Sequence, residues 1–138
     1  MEHISPHFSF EELSRTSVIS LSAKNRAEAA DRKTELTALA FYLLEPVRAL
    51  LGVPLIITSA YRCPEVNKAA GGVKKSQHLL GEAADFIPAG IGLPAAFNKI
   101  KQMRQLHFGQ LILDPCWIHI SLGVPFRPLE KCGQVIEK

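Results

Sequence analysis

The sequence predicts an α+β domain, a small and mostly antiparallel sheet with helices packed on one face. Three observations carry this. Leu36, Leu39, Ala40, Leu43, Leu44, Val47, Leu50 and Leu51 recur at spacings of three and four, the mark of a long amphipathic helix. Four runs, 54–59, 83–87, 110–113 and 117–122, are apolar or partly β-branched and too short for helices, so they read as strands. Helical stretches precede and interrupt these strands, and the last two join as a hairpin across Asp114-Pro115.

Ser9 followed by Phe10, Glu11, Glu12 and Leu13 reads as an N-cap with acids in the first turn, a short helix ending by Ser17. From about Lys24 the helical pattern runs to Gly52, with a kink expected at Pro46. Pro54 to Ser59 is a buried strand from whose end Tyr61 and Arg62 emerge. Pro64 to Ala70 is a short helix closed by Gly71 and Gly72, and Lys74 to Gln77 is expected as exposed loop. A helix over Leu93 to Leu106 separates the strand at Ala83 to Ile87 from the hairpin. The segment 123–138 gives no signal and is left unassigned.

The chain has 138 residues, of which 47% are hydrophobic, enough to bury roughly two-thirds of the unfolded surface without disulfides or a partner subunit. No repeat, low-complexity run or linker divides it, so residues 1–138 are expected as one domain and the protein as a monomer. The longest uncharged stretches, 36–44, 49–61 and 86–98, fall short of the roughly 20 apolar residues of a membrane span. The start, MEHISPHFSFEEL, places acids where an export signal carries basic residues, so a cleaved signal is not expected. Sixteen Lys and Arg balance 13 Asp and Glu to a net +3, scattered rather than clustered, which disfavours nucleic acid. Three cysteines, Cys63, Cys116 and Cys132, are an odd number and argue against a disulfide framework, in keeping with synthesis in a reducing cytoplasm.

Polar groups gather at strand ends in three places: Ser59 to Arg62, Ser76 to Asp85, and Asp114 to Ser121. Alternation along the last strand sends Trp117, His119 and Ser121 to one face and Ile118 and Ile120 to the core. Gly81 permits a sharp reversal between His78 and the strand bearing Asp85, so imidazole and carboxylate can converge. Two histidines and a carboxylate suit Zn²⁺ with a fourth position left for water. Spacing alone leaves a second reading open, in which each is a separately satisfied polar group. His3, His7 and His107 lie outside any comparable constellation.

The runs Ile57-Thr-Ser-Ala-Tyr-Arg-Cys-Pro-Glu-Val-Asn67, Ser76-Gln-His-Leu-Leu-Gly-Glu-Ala-Ala-Asp85 and Trp117-Ile-His-Ile-Ser121 together resemble the M15 peptidases, zinc D-alanyl-D-alanine carboxypeptidases and related peptidoglycan endopeptidases. The resemblance extends over about residues 8–122, with three motifs in the family's order. It implies a hedgehog/DD-peptidase-like fold, Zn²⁺ held by His78, Asp85 and His119, and hydrolysis of a peptide bond in the stem peptide of bacterial peptidoglycan. Arg62 is implied as a clamp on the substrate's carbonyl or carboxylate, and Ser76 as a substrate-binding or loop-orienting serine. Action on the cell wall, by a cell or by a phage or prophage product, follows from the same resemblance.

The general base is where the sequence departs from the family pattern. The acid that many members carry three residues before the last metal histidine is Cys116 here. Other members place an acid after a QLI-like strand, and Gln110-Leu-Ile-Leu-Asp114 fits that version, so Asp114 is the expected base. A member that keeps zinc but has lost catalysis, serving as a wall-recognition or phage structural module, is the alternative. Cys116 is expected as a buried or half-buried thiol, Cys63 as ordinary packing, and Trp117 either as cleft wall or as filling of the sheet face.

Overall fold

Alternation of apolar and polar side chains decides which way the sheet faces, and the computed structural model, which describes residues 2–123 and 133–138, bears the α+β prediction out. Strands β1 (His3–Ser5) and β2 (Phe8–Ser9) form a separate antiparallel ribbon. The main sheet has the order β3-β4-β6-β5-β7, from β3 (Leu55–Ser59), β4 (Ala83–Pro88), β5 (Phe108–Leu113), β6 (Ile118–Leu122) and β7 (Gln134–Glu137). Three pairings are antiparallel and the fourth, β5 with β7, is parallel. One face presents Leu55, Ile57, Ala84, Phe86, Leu111, Ile118 and Ile120 to the core. The opposite face carries Asp85, Ile112 and His119, and it is there that a cleft opens.

Helices cover the apolar face. Ser9 caps α1 (Phe10–Ser14) through a complete capping box, in which Glu12 N–H donates to Ser9 Oγ and Ser9 N–H donates to Glu12 Oε1. The long helical stretch is built in pieces: a 3₁₀ turn at Ile19–Leu21, α2 (Ser22–Ala29), a second 3₁₀ turn, α3 (Lys33–Leu39), a π segment (Ala40–Leu44) and α4 (Glu45–Leu51). The kink expected at Pro46 takes the form of that π segment. Glu45 N–H reaches back five residues to the Ala40 carbonyl, widening the helix just before a proline that has no N–H to give and whose ring crowds the preceding turn. Gly52, at φ +70°, closes the helix in the left-handed conformation. Leu36, Leu39, Leu43, Leu44 and Val47 are fully buried. The short helix α5 (Pro64–Ala69) follows β3, and α6 (Leu93–Lys101) adds Ala96, Phe97 and Ile100 to the core.

Two expectations are corrected. The helix expected to run to Leu106 stops at Lys101, because turns closed by Met103 N–H on the Ile100 carbonyl and Leu106 N–H on the Met103 carbonyl bring Leu106 back into the core before β5 begins. The unassigned C-terminal segment contributes β7, which pairs Gln110 to Leu113 with Gln134 to Glu137 and extends the sheet beside the cleft. Cys132 lies outside the described residues. No helix among the described residues is long and apolar enough to cross a membrane.

Candidate metal centre

Strand register brings the first two candidate ligands together. Asp85 on β4 stands directly opposite His119 on β6, so their side chains leave the same face as cross-strand neighbours. On the other side of β4, β3 carries a bulge between Ile57 and Ser59, beyond which Ser59 meets Asp85. His78 comes from the 3₁₀ turn Gln77–Leu80, started by Ser76 and closed by Gly81 at φ +73°. A Cβ at Gly81 would also stand 3.1 Å from Arg32 Cβ, so both the backbone and the packing there favour glycine.

His78, Asp85 and His119 each offer a ligand atom, and these atoms lie within 4.8 Å of one another. His78 Nδ1 is 2.6 Å from the Ala60 carbonyl oxygen, which can only accept, so Nδ1 donates there and Nε2 is the ring nitrogen turned toward Asp85. That Nε2 is 3.3 Å from Asp85 Oδ2, and His119 Nδ1 is 2.8 Å from Asp85 Oδ1. The two imidazoles meet edge to face at 5.2 Å between centroids. Burial pushes the Asp85 carboxyl up, but hydrogen bonds and charge from His119 and His78 outweigh it and hold the group well below the usual carboxylate range. Burial lowers His119, with Asp85 opposing and the neighbouring His78 and Arg62 adding to the fall. The trio therefore gathers one carboxylate and two imidazoles, the kinds of donor a divalent metal takes.

The remaining expected residues line the same cleft, an open space of about 480 Å³. Arg62 donates from Nε to Ser59 Oγ at 2.9 Å, from Nη1 to Asn67 Oδ1 at 3.2 Å and from Nη2 to Asp85 Oδ2 at 3.1 Å. Three of its five N–H groups are thus engaged by the protein, and its side chain is 13% exposed. Ser76 caps its own turn by accepting the His78 N–H at 3.1 Å. Contrary to the exposed loop expected there, Ser76 and Gln77 are buried, since Gln77 Nε2 donates to the Leu122 carbonyl and ties the turn to β6. Asp114 sits in a turn closed by its N–H on the Trp117 carbonyl, and Trp117 also lines the cleft. Cys116, expected buried or half-buried, is exposed because it lies in that turn ahead of β6, whereas Cys63 is buried as expected.

Several residues near the site have roles that the sequence does not assign. Asn67, on α5, holds both Arg62 and the loop that follows the helix. Asn25 fixes the chain around Arg62, donating to the Ser14 and Tyr61 carbonyls and accepting the Cys63 N–H. Ile136 and Lys138 reach the cleft from β7 and the residue after it, with Lys138 Nζ 3.9 Å from Asp114 Oδ2. A second group of possible donors, Glu28, Cys63 and Glu65, is bridged by the Lys24 ammonium, at 2.8 Å from Glu28 and 3.1 Å from Glu65.

Two imidazoles and a carboxylate gathered around one point match the donor set of a zinc site that keeps a position for water. No curated protein matches the chain. A family model described as Peptidase M15 matches residues 6–121, which takes in both strands and the turn that supply the trio. The chain belongs to the M15 peptidases, a family of zinc metallopeptidases.

Proposed function

We propose that the protein is a zinc-dependent peptidase that hydrolyses a peptide bond in the stem peptide of bacterial peptidoglycan. The observation that carries this is the convergence of His78, Asp85 and His119 in one cleft with an acid, Asp114, and a guanidinium, Arg62. His78, Asp85 and His119 would hold Zn²⁺, which would supply Lewis acidity toward a water and a substrate carbonyl. The hydrogen bond from His78 to the Ala60 carbonyl orients that imidazole before any metal arrives. Asp114 accepts the proton of the attacking water and passes it to the leaving amine. The two N–H groups of Arg62 not used by the protein face oxygen-borne negative charge on the substrate. Ser76, one acceptor lone pair engaged by the His78 N–H, keeps its own hydroxyl proton for a substrate oxygen.

The test is digestion of purified peptidoglycan with the zinc-loaded protein, followed by mass spectrometry of the products. New amine termini in the stem peptide are expected, and their position separates a carboxypeptidase from an endopeptidase. Asp114→Ala is expected to retain zinc and lose about 10²–10⁴-fold in kcat, while His119→Ala is expected to lose both zinc and hydrolysis. Cys116 in the position of the other acid favours a second reading, a zinc-binding wall-recognition or phage structural module, and binding of peptidoglycan with no cleavage by the zinc-loaded wild type would select it.

A further inference from the structure

The side chain of Asn67 belongs to a residue only 5% exposed and has two partners of opposite kind. Its Oδ1 accepts from Arg62 Nη1 at 3.2 Å, and its Nδ2 donates to the Val73 carbonyl at 2.9 Å. Guanidinium only donates and a carbonyl only accepts, so a single orientation of the amide satisfies both. The backbone closes the same knot: Asn67 N–H donates to the Cys63 carbonyl and the Asn67 carbonyl accepts the Gly72 N–H. Gly72 comes so near that a Cβ there would overlap the Asn67 amide and stand 3.0 Å from Arg62 Nη1. The guanidinium held in this way places Nη2 on Asp85 Oδ2, the oxygen that also faces His78 Nε2. Orientation of a metal-binding carboxylate by an outer partner is commonly worth about 10–100-fold in affinity.

We infer that Asn67 is a positioning residue for the metal centre, acting through Arg62 to fix the Asp85 carboxylate, while its second hydrogen bond separately holds the loop 71–73 that borders the cleft. The inference rests on the reading of the trio as a zinc site. Asn67→Asp separates the two tasks: a carboxylate still accepts from Arg62, but it cannot donate to Val73.

The experiment measures Zn²⁺ affinity of the full chain by competition with a chromophoric chelator, and the Tm of the metal-free protein, for wild type, Asn67→Ala, Asn67→Asp, Arg62→Ala and the double variant Asn67→Ala/Arg62→Ala. Asn67→Ala is expected to weaken Zn²⁺ binding about three- to tenfold, one step less than a direct partner of the ligand. Asn67→Asp is expected to lower Tm yet keep affinity within about threefold, and Asn67→Ala is expected to change nothing further once Arg62 is alanine. Equal loss of affinity in Asn67→Asp and Asn67→Ala overturns the inference, because affinity would then follow the loop. So does the same loss with and without Arg62. If Asn67→Ala does not fold, Asn67→Leu, close in volume but unable to accept from Arg62 or donate to Val73, takes its place in every comparison. A wild type that takes up no Zn²⁺ overturns the metal reading itself, an outcome distinct from wild-type binding that Asn67 does not influence.

Discussion

Asn25 shows what a single side chain does for the site without touching it. Fully buried, it satisfies the carbonyls of Ser14 and Tyr61 and the N–H of Cys63, so the loop carrying Arg62 is tied to α1 and α2. Asn25→Ala strands three buried backbone groups and is expected to cost about 3 kcal/mol, read as a lower urea midpoint at unchanged slope; a loss below about 1 kcal/mol would mean that water replaces the amide. The convergence of His78, Asp85 and His119 is permitted by strand alternation and the Gly81 reversal, which are local signals, and is singled out in the sequence only by the three motifs of the family resemblance. The roles of Asn25 and Asn67 are not, since an amide's partners here are carbonyls and N–H groups set by the fold, up to 38 positions away in sequence. A polar residue in a helix looks the same whether it faces solvent or a buried loop.

Among the elements, the strands and helices with their own periodicity can be read from the sequence, and those made by pairing cannot. The segment Gln134–Glu137 has only Val135 and Ile136 as apolar residues, and its place is set by a parallel partner, β5, rather than by any pattern of its own. The β1–β2 ribbon is hidden for the same reason, being pinned to the helical layer by one acid. Glu45 accepts from Ser5 Oγ at 2.6 Å and from the His7 N–H at 2.8 Å, with His7 Nδ1 at 2.7 Å from its other oxygen. Burial raises Glu45, but these bonds from Ser5 and His7 outweigh it and leave the carboxyl below its usual value. A folded-state value below the unfolded one adds stability above the ordinary carboxylate range, and that stability disappears as pH falls through the folded value. Wild type is therefore expected to exceed Glu45→Gln in stability at neutral pH, with the gap narrowing below about pH 4. Urea midpoints of both proteins, from neutral into acid solution, measure it, and a constant gap refutes the link. Ser9→Ala, which removes the capping box of α1, is expected to cost about 1 kcal/mol in the same assay.

For the molecule as a whole, the core and the candidate metal centre occupy opposite faces of one sheet, so their stabilities are expected to be separable. The apolar face packs Phe86, Ile118 and Ile120 against Leu39, Leu43 and Phe97, all fully buried, and none of these side chains belongs to the trio. A small zinc module whose core is the metal unfolds when the metal leaves; a chain with this much apolar burial should remain folded and lose only the binding contribution. At a free Zn²⁺ concentration about 100 times the dissociation constant that contribution is about 2.7 kcal/mol, which for a chain of this size raises Tm by roughly 5–10 °C. Chelation should reverse the rise while leaving a cooperative transition and an unchanged far-ultraviolet spectrum. His119→Ala should melt near the chelated wild type and show no response to Zn²⁺, because it deletes one ligand from the open face and leaves Ile118 and Ile120 in place. Loss of the cooperative transition on chelation would show that the ion organises the sheet, and the separation of the two faces would then fail as an account of what holds this protein together.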